Sequence, residues 1–396
     1  MKYKIPNIFQ LFLIFLKLGL TSFGGPIAHL GYFHNEFVSK RKWITDQAYT
    51  DLVALCQFLP GPASSQVGLA IGYFRAGYIG SLVAWIGFTL PSAIILTLFA
   101  LSITDYHNII SPGVIHGLKI VAVAIVAQAI YSMASKICIN KQSIAVMLIS
   151  CCCLLLFPYS WLQIVIIISA GVFGCLVFKK NVKDKNADTS LPISISRTSG
   201  IFWLTIFSFL LIFLILVSSV TSNEFVKLFN IFYQTGSLVF GGGHVVLPLL
   251  DMKLVPEFIS KTDFLSGYGA AQAIPGPLFA FSSYLGAIIE NQSSPWLGSV
   301  VCLFAIFLPS FLLLMGVLPF WKTCRENKNV QAALFGVNAS VVGLLLAAFY
   351  NPIWISAIYN AKDFSLALVS FCLLQYFKFP PWIIVILCGT FGYLIY

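Results

Sequence analysis

The chain has 396 residues, of which 59% are hydrophobic and 9% are charged, with a formal net charge of +10. Soluble domains carry a charge on roughly 25% of their residues, so this composition excludes a soluble protein and indicates an integral membrane protein. Most Lys and Arg residues lie in short loops between apolar segments, which is the positive-inside pattern, so the positive charge implies no nucleic-acid partner.

The apolar segments fall into two classes along the chain. Those near the roughly 20 residues of a bilayer crossing lie at 78–104, 112–136, 142–157, 160–178, 200–222, 296–320, 329–350, 363–377 and 380–396. Shorter, interrupted pieces lie at 5–22, 24–38, 45–59 and 62–76, and again at 224–240, 242–255, 260–274 and 277–290. We expect these pieces to form broken helices and hairpins. Thr45 and Ser260 are suited to cap two of them, because a hydroxyl oxygen accepts from an orphan N–H group.

The interruptions have similar sequences in both halves of the chain. The motif FGGP at 23–26 returns as FGGG at 240–243, and QFLPGP at 57–62 returns as QAIPGP at 272–277. Helix-breaking residues inside apolar sequence leave backbone groups without hydrogen-bond partners, because no water is present there. In membrane proteins such interruptions usually mark a ligand site built from discontinuous helices near the bilayer midplane.

The similarity extends beyond these motifs, since LPS at 90–92 matches LPS at 308–310. We therefore divide the chain into a first transmembrane repeat at 1–178, a basic cytoplasmic linker at 179–199, an unpaired connecting helix at 200–222 and a second transmembrane repeat at 223–396.

One unpaired crossing between repeats of even pass number predicts that the second repeat is inverted. The predicted fold class is an all-α integral membrane protein with two inverted structural repeats of broken helices and hairpins, plus one extra connecting transmembrane helix. Placing the N-terminus and the linker in the cytoplasm, and the C-terminus outside it, puts most Lys and Arg residues inside.

The paired motifs, together with His29, the 36–43 stretch, Gly72-Tyr73 and Arg75, resemble the chromate ion transporter family in its long, two-repeat form. The resemblance covers nearly the whole chain. It implies a secondary transporter of the inner membrane that exports chromate, recognised as a sulfate-like dianion, and confers chromate resistance. A transporter of sulfate or another small anion with the same architecture is the alternative, because not every member need move chromate.

The interruptions also suggest where an oxyanion would bind. Helix N-termini carry about half a positive charge and unsatisfied N–H donors, and a tetrahedral dianion needs several donors at fixed distances. We predict that the anion lies between the tips of the broken helices, and that its site comprises Lys17, Gly24, Gly25, His29, Gln57, Pro60, Gly61, Pro62, Gly241, Gly242, His244, Gln272, Pro275, Gly276 and Pro277.

The polar residues of this set each have a structural alternative. A cation such as Lys17 within an apolar segment costs about 2.5–3.5 kcal/mol, which a bound dianion would offset, unless its stem reaches the cytoplasmic headgroups. His29 and His244 either donate to the anion, carry a coupled proton or pack in the interior. Gln57 and Gln272 either donate an amide N–H to the ligand or cap the broken helices.

Four basic residues are predicted to lie at the cytoplasmic face, namely Lys40, Arg41, Lys42 and Arg75. A basic vestibule would raise the local concentration of anions. The alternative is that these charges only fix the topology of the chain.

The sequence predicts neither an enzyme nor a cofactor or metal site. It has no Walker A, His-Glu-x-x-His or Gly-x-Ser-x-Gly pattern, and its ten cysteines lack metal-ligand spacing. A dianion that leaves a negative-inside cell gains roughly 4.6 kcal/mol per 100 mV, so export needs no pump. The expected partners are the anion and membrane lipid, while coupling to a proton or counter-anion, and a homodimer, are left open.

Overall fold

The computed structural model describes residues 7–105, 112–157, 159, 161–181, 191–193, 195–240, 243–289 and 294–395. The first half contains α1 (Ile8–Thr21), α2 (Gly25–Phe33, continued by a π-helical turn, His34–Lys40), α3 (Asp46–Phe58), α4 (Ala63–Asp105), α5 (Pro112–Ile137), α6 (Lys141–Leu156) and α7 (Leu162–Val177). The second half contains α8 (Arg197–Val220), α9 (Glu224–Leu238), α10 (Val246–Leu254), α11 (Lys261–Ala271), α12 (Phe281–Ile288), α13 (Pro295–Val317), α14 (Trp321–Glu326), α15 (Lys328–Ala348), α16 (Ile355–Ala357), α17 (Ala361–Gln375) and α18 (Pro381–Ile395). The described secondary structure is helical throughout, which confirms the all-α class.

Several helical segments are long and apolar enough to cross a bilayer, namely Ala63–Ile103, Pro112–Ile137, Arg197–Val220, Pro295–Glu326 and Lys328–Ala357. The protein is therefore a multi-pass membrane protein. Other predicted crossings are shorter than expected. The 16 residues of α6, and likewise of α7, span about 24 Å at 1.5 Å per residue, less than the roughly 30 Å of a hydrocarbon core.

The interrupted pieces fold back as hairpins. α2 and its π-helical turn run beside α1, since the Phe15 ring centroid lies 6.0 Å from that of Phe33 and 5.1 Å from that of Phe37. α11 and α12 pack in the same way around the second Pro-Gly-Pro turn, with 5.4 Å between the ring centroids of Phe264 and Phe281. The glycine and proline motifs therefore lie at the tips of hairpins.

α4 is itself a hairpin and not one straight helix. Ala76 and Gly77 leave the helical region of backbone conformation, with φ of −146° and 62°. A Cβ atom on Gly72 would overlap the carbonyl oxygen of Gly80 and lie 2.7 Å from the Cβ atom of Ala84. The arms 63–75 and 78–105 therefore pack closely side by side, which confirms the predicted boundary between two pieces.

The predicted caps are both present. The Thr45 hydroxyl accepts from the N–H group of Ala48 at 3.2 Å, and the Ser260 hydroxyl accepts from the N–H group of Asp263 at 3.1 Å. Each hydroxyl satisfies an orphan donor at the start of the helix that leads into a Pro-Gly-Pro turn. The two halves thus share local chemistry as well as sequence.

The linker and α8, which lie between the two repeats, differ in burial. α8 buries Gly200 and Leu214 and leaves most of its apolar surface exposed, as expected for a helix that faces lipid. Within the linker, Leu191 and Ile195 are buried against the first half. The described end of the linker is therefore packed onto the protein and is not simply a polar connection.

Close packing inside α4 predicts opposite effects for two alanine substitutions. Gly72→Ala should destabilise the protein by about 1–3 kcal/mol, because the added methyl group overfills the contact with Gly80. Gly31→Ala should be neutral or stabilising by up to about 1 kcal/mol, since Gly31 lies in α2 with no atom within 4 Å of an added Cβ. Thermal unfolding of the purified variants in detergent would measure both changes in stability. Equal changes in the two variants would contradict close packing of the two arms of α4.

Candidate functional site

The hairpin tips meet through a reciprocal pair of backbone hydrogen bonds. The N–H group of Gly61 donates to the carbonyl oxygen of Val239 at 2.7 Å, and the N–H group of Gly276 donates to the carbonyl oxygen of Ser22 at 3.0 Å. Each Pro-Gly-Pro turn therefore binds beside the glycine-rich break of the opposite half. Such an exchange is what a two-fold relation between the halves produces.

The two glycine-rich breaks also approach one another. A Cβ atom on Gly243 would lie 3.5 Å from the Cγ atom of Pro26. Since Val239 and Ser22 come just before these breaks, the described residues of the four interruptions form one cluster, which we call the tip cluster and define as residues 22–26, 59–62, 239, 240, 243 and 275–278. Gly241 and Gly242, predicted to bind the anion, lie outside the described residues.

Both turn glycines are required by conformation and by space. Gly61 and Gly276 have φ of +116° and +105°, a region that residues with a Cβ atom rarely adopt. A Cβ atom on Gly61 would overlap the hydroxyl of Ser310, and one on Gly276 would lie 2.8 Å from the hydroxyl of Ser92. These serines end the matching LPS motifs, so each turn is held by the long helix of the other half.

The sequence predicts that the turns offer free amide groups to the ligand. In this structure the N–H groups of Gly61 and Gly276 are already bonded between the halves. Pro62 and Pro277 come just before the helical residues that follow each turn, and the carbonyl group of Pro62 accepts from the N–H group of Gln66 at 3.0 Å. Donors for a ligand must therefore come largely from other groups of the tip cluster.

Several buried side-chain atoms at or beside the tip cluster supply such groups. Four of them have no hydrogen-bond partner within the described residues, namely the hydroxyls of Ser22 and Ser310, Nε2 of Gln272 and Oε1 of Gln66. A buried polar atom left unpaired costs about 1–3 kcal/mol, so such atoms normally face a ligand or ordered water. Ser22, Gln66 and Ser310 were not predicted from the sequence.

The two predicted histidines are both held by hydroxyl groups. His29 is buried, with Nδ1 3.3 Å from the Ser64 hydroxyl and its ring edge-on to Phe88. Nδ1 of His244 lies 2.7 Å from the Tyr268 hydroxyl. Each ring thus has a packing role, and its contact with the anion stays a prediction.

The remaining predicted residues differ in burial. Lys17, Gly24 and Gln57 are exposed, while Gly25, Pro60 and Pro275 are half-buried and Pro62 and Pro277 are buried. Lys17 lies on the face of α1 opposite the buried Leu11, Phe15 and Leu18. Its contact with the anion and that of Gln57 stay predictions, because an exposed side chain of a membrane protein faces either lipid or an aqueous approach.

The chromate transporter family matches residues 9–175 and 226–393, which is most of the chain. The chain belongs to the chromate transporter family. Its two matched regions each contain one glycine-rich break and one Pro-Gly-Pro turn, so the family's domain occurs twice in this transporter.

Relatives with assigned names support this membership. A chromate transport protein of Cupriavidus metallidurans is 26% identical over 389 residues, covering 93% of this chain and 88% of that protein. A probable chromate transport protein of Synechococcus elongatus is 25% identical over 346 residues, covering 86% of this chain and 83% of that protein. An uncharacterized transporter of Methanocaldococcus jannaschii is 25% identical over 395 residues, covering 98% of this chain and 95% of that protein. No solved structure matches the chain.

Two of the predicted vestibule residues of the transporter meet at one aromatic ring. The guanidinium carbons of Arg41 and Arg75 lie 5.5 Å and 4.7 Å from the centre of the Trp43 ring. Glu36 pairs with Arg41 at 2.6 Å and lies 3.9 Å from Lys40, so part of the positive charge is compensated. Lys42 is exposed, and attraction of anions by this group stays a prediction.

An ionic contact between the halves was not predicted from the sequence. Asp51 is buried in the middle of α3 and pairs with Arg325 of α14 at 2.7 Å. The two residues are far apart in the sequence, and neither lies in a repeated motif. Asp46 starts α3 and pairs with His34 at 2.6 Å.

The contacts of Gly61 predict that steric overlap adds to backbone strain there. Gly61→Ala should destabilise the transporter more than Gly25→Ala, because both positions have positive φ but nothing lies within 4 Å of a Cβ on Gly25. The strain shared by both is about 1–2 kcal/mol. In the Gly61→Ala variant, replacing Ser310 with glycine should recover the stability lost to steric overlap but not the stability lost to backbone strain. Thermal unfolding of Gly61→Ala, Gly25→Ala and the double variant Gly61→Ala/Ser310→Gly would test this. Equal losses at the two glycines would show that the turn is not packed on Ser310.

Proposed function

We propose that this transporter exports chromate from the cell and that the anion binds in the tip cluster. The observation that carries the proposal is the convergence of four helix interruptions, held by the reciprocal bonds from Gly61 to Val239 and from Gly276 to Ser22. Membership of the chromate transporter family supports the substrate. Resistance to chromate would follow from export.

The chemistry of the tip cluster suits a tetrahedral dianion. The hydroxyls of Ser22 and Ser310 and the amide of Gln272 are neutral donors on three different elements, so they can approach an anion from separate directions. Hydrogen bonds to a charged group contribute about 1.5–3 kcal/mol each. Neutral donors also release the anion more easily than a fixed ion pair would, which transport requires.

The same contacts suggest how access could alternate. In the proposed arrangement the halves are inverted, with the N-terminus in the cytoplasm, so equivalent hairpins approach the tip cluster from opposite faces of the inner membrane. The bonds that hold Gly61 and Gly276 are made between the halves, and α12 also packs on α4 of the first half, where the ring centroids of Phe99 and Tyr284 lie 5.8 Å apart. In this proposal, movement of the two turns against these contacts opens one approach and closes the other.

The direction of transport follows from charge. A dianion that leaves a cell with a negative interior gains about 4.6 kcal/mol per 100 mV, so the membrane potential alone favours export. A coupled proton or counter-anion would add to this drive, and the buried His29 and the half-buried His244 are candidates for a proton carrier within the proposal.

Sulfate is the second candidate substrate. The donors of the tip cluster would recognise the shape and charge that sulfate and chromate share, since they contact oxygen atoms and not the central atom. A site of this kind discriminates weakly between the two anions, so competition between them is expected.

Transport measurements would test the substrate and the direction together. Cells of a chromate-sensitive host that express the transporter should accumulate less radiolabelled chromate than cells with an empty vector, and collapse of the membrane potential should remove most of the difference. Equal chromate accumulation in cells with the transporter and cells with the empty vector would contradict chromate export. Sulfate efflux without chromate efflux would assign the second candidate substrate.

Removal of two hydroxyls would test the site. Ser22→Ala and Ser310→Ala should each raise the chromate KM about tenfold, the effect of losing about 1.4 kcal/mol of binding. Stability should hardly change, because neither hydroxyl has a protein partner within the described residues. Ser135→Ala, at an exposed hydroxyl of α5, is the matched control. Unchanged KM values would place the anion elsewhere.

A further inference from the structure

A stripe of polar side chains follows α9 to the tip cluster. Lys227, Asn230, Gln234 and Ser237 are spaced three, four and three residues apart, so they share one face of the helix. Asn230 and Ser237 are buried, and Lys227 and Gln234 are half-buried. The stripe ends beside Val239, which accepts the bond from Gly61. It therefore links the outer end of the hairpin with the predicted anion site.

Lys253 of α10 joins this stripe from the other leg of the hairpin. Its Nζ donates to Oε1 of Gln234 at 2.7 Å, Nε2 of Gln234 donates to Oδ1 of Asn230 at 2.7 Å, and Nδ2 of Asn230 donates to Oγ of Ser218 at 2.7 Å. The side chains of α8, α9 and α10 are thus connected in one chain of hydrogen bonds. Every partner in that chain is neutral.

The ammonium group of Lys253 has no acidic partner in the described part of the protein, where no carboxylate lies within 4.0 Å of Nζ. Asp251 is two positions earlier on the same helix, so its side chain points to a different face. An ammonium group has three donors, of which the bond to Gln234 uses one. A half-buried cation with only neutral partners is suited to a mobile anion.

The first hairpin of the first half also carries a lysine, but on its first helix, α1, and not on its second. Counted from Phe23 and Phe240, which begin the two FGG motifs, Lys17 aligns with Gln234, and Glu36 aligns with Lys253. Glu36 pairs with Arg41 and not with a residue of α1. The α1–α2 hairpin and the α9–α10 hairpin thus each carry one lysine at these two aligned positions.

We propose that Lys253 contacts the transported anion on its way between the tip cluster and the outer end of the α9–α10 hairpin. This inference rests on the proposed function, because it assigns a further anion contact to the same transport path. Lys253 would serve the approach through the second half, as Lys17 is predicted to serve the approach through the first. The polar stripe of α9 provides the surface along which the anion moves.

The decisive variant is Lys253→Gln, which keeps a hydrogen-bond donor for Gln234 but removes the charge. In proteoliposomes it should raise the chromate KM about tenfold and leave thermal stability without added anion unchanged. Lys253→Arg should stay within about threefold of the wild-type KM. The double variant Gln234→Lys/Lys253→Gln moves the cation to α9, the helix that corresponds to α1 with its Lys17. This variant should bring the chromate KM most of the way back to the wild-type value. Lys141→Gln, at an exposed lysine that starts α6, is the matched control.

A wild-type KM in Lys253→Gln would overturn the inference, since a purely structural lysine could be replaced by another donor. Loss of stability in Lys253→Gln with an unchanged KM would also overturn it. If the wild-type protein moves sulfate and not chromate, the proposed substrate is wrong, while a raised sulfate KM in Lys253→Gln would still support the contact. If neither chromate nor sulfate raises the melting temperature of the wild-type protein, both proposals fail.

Discussion

The structure depends on the satisfaction of backbone groups at four helix interruptions inside apolar sequence. An N–H group without a partner in a hydrocarbon environment costs several kcal/mol, so each break must find a partner within the protein. Gly61 finds it at Val239, and Gly276 finds it at Ser22. Each half therefore completes the turn of the other, which explains why the motifs occur as a pair and not once.

Small residues make this exchange sterically feasible. Ser310 packs against Gly61 and Ser92 against Gly276, so the long helices approach the turns closely. The same device recurs within each half, where Gly72 meets Gly80 and Gly286 meets Gly298. Helices in a membrane gain little from burial of apolar surface, so close contact between small residues is a main source of their packing energy.

The charges differ between the halves although the backbone pairing is reciprocal. Lys17 and Glu36 in the first half correspond to Gln234 and Lys253 in the second, and the arginines around Trp43 belong to the first half alone. The unpaired donors at and beside the tip cluster are neutral hydroxyl and amide groups, namely those of Ser22, Ser310 and Gln272. A site with neutral donors at its centre and cations on its approaches would attract a dianion without binding it too tightly to release.

The sequence by itself determined the helical membrane class, the two repeats, the positions of the breaks and the caps Thr45 and Ser260, because these depend on local hydropathy, backbone restriction and short-range hydrogen bonds. Only the tertiary structure showed that Gly61 and Gly276 donate to the opposite half, that Asp51 pairs with Arg325, and that the buried hydroxyls of Ser22 and Ser310 have no partner within the described residues. These hydrogen bonds and this ion pair join residues at least 178 positions apart, and no local pattern encodes which distant group a donor will meet.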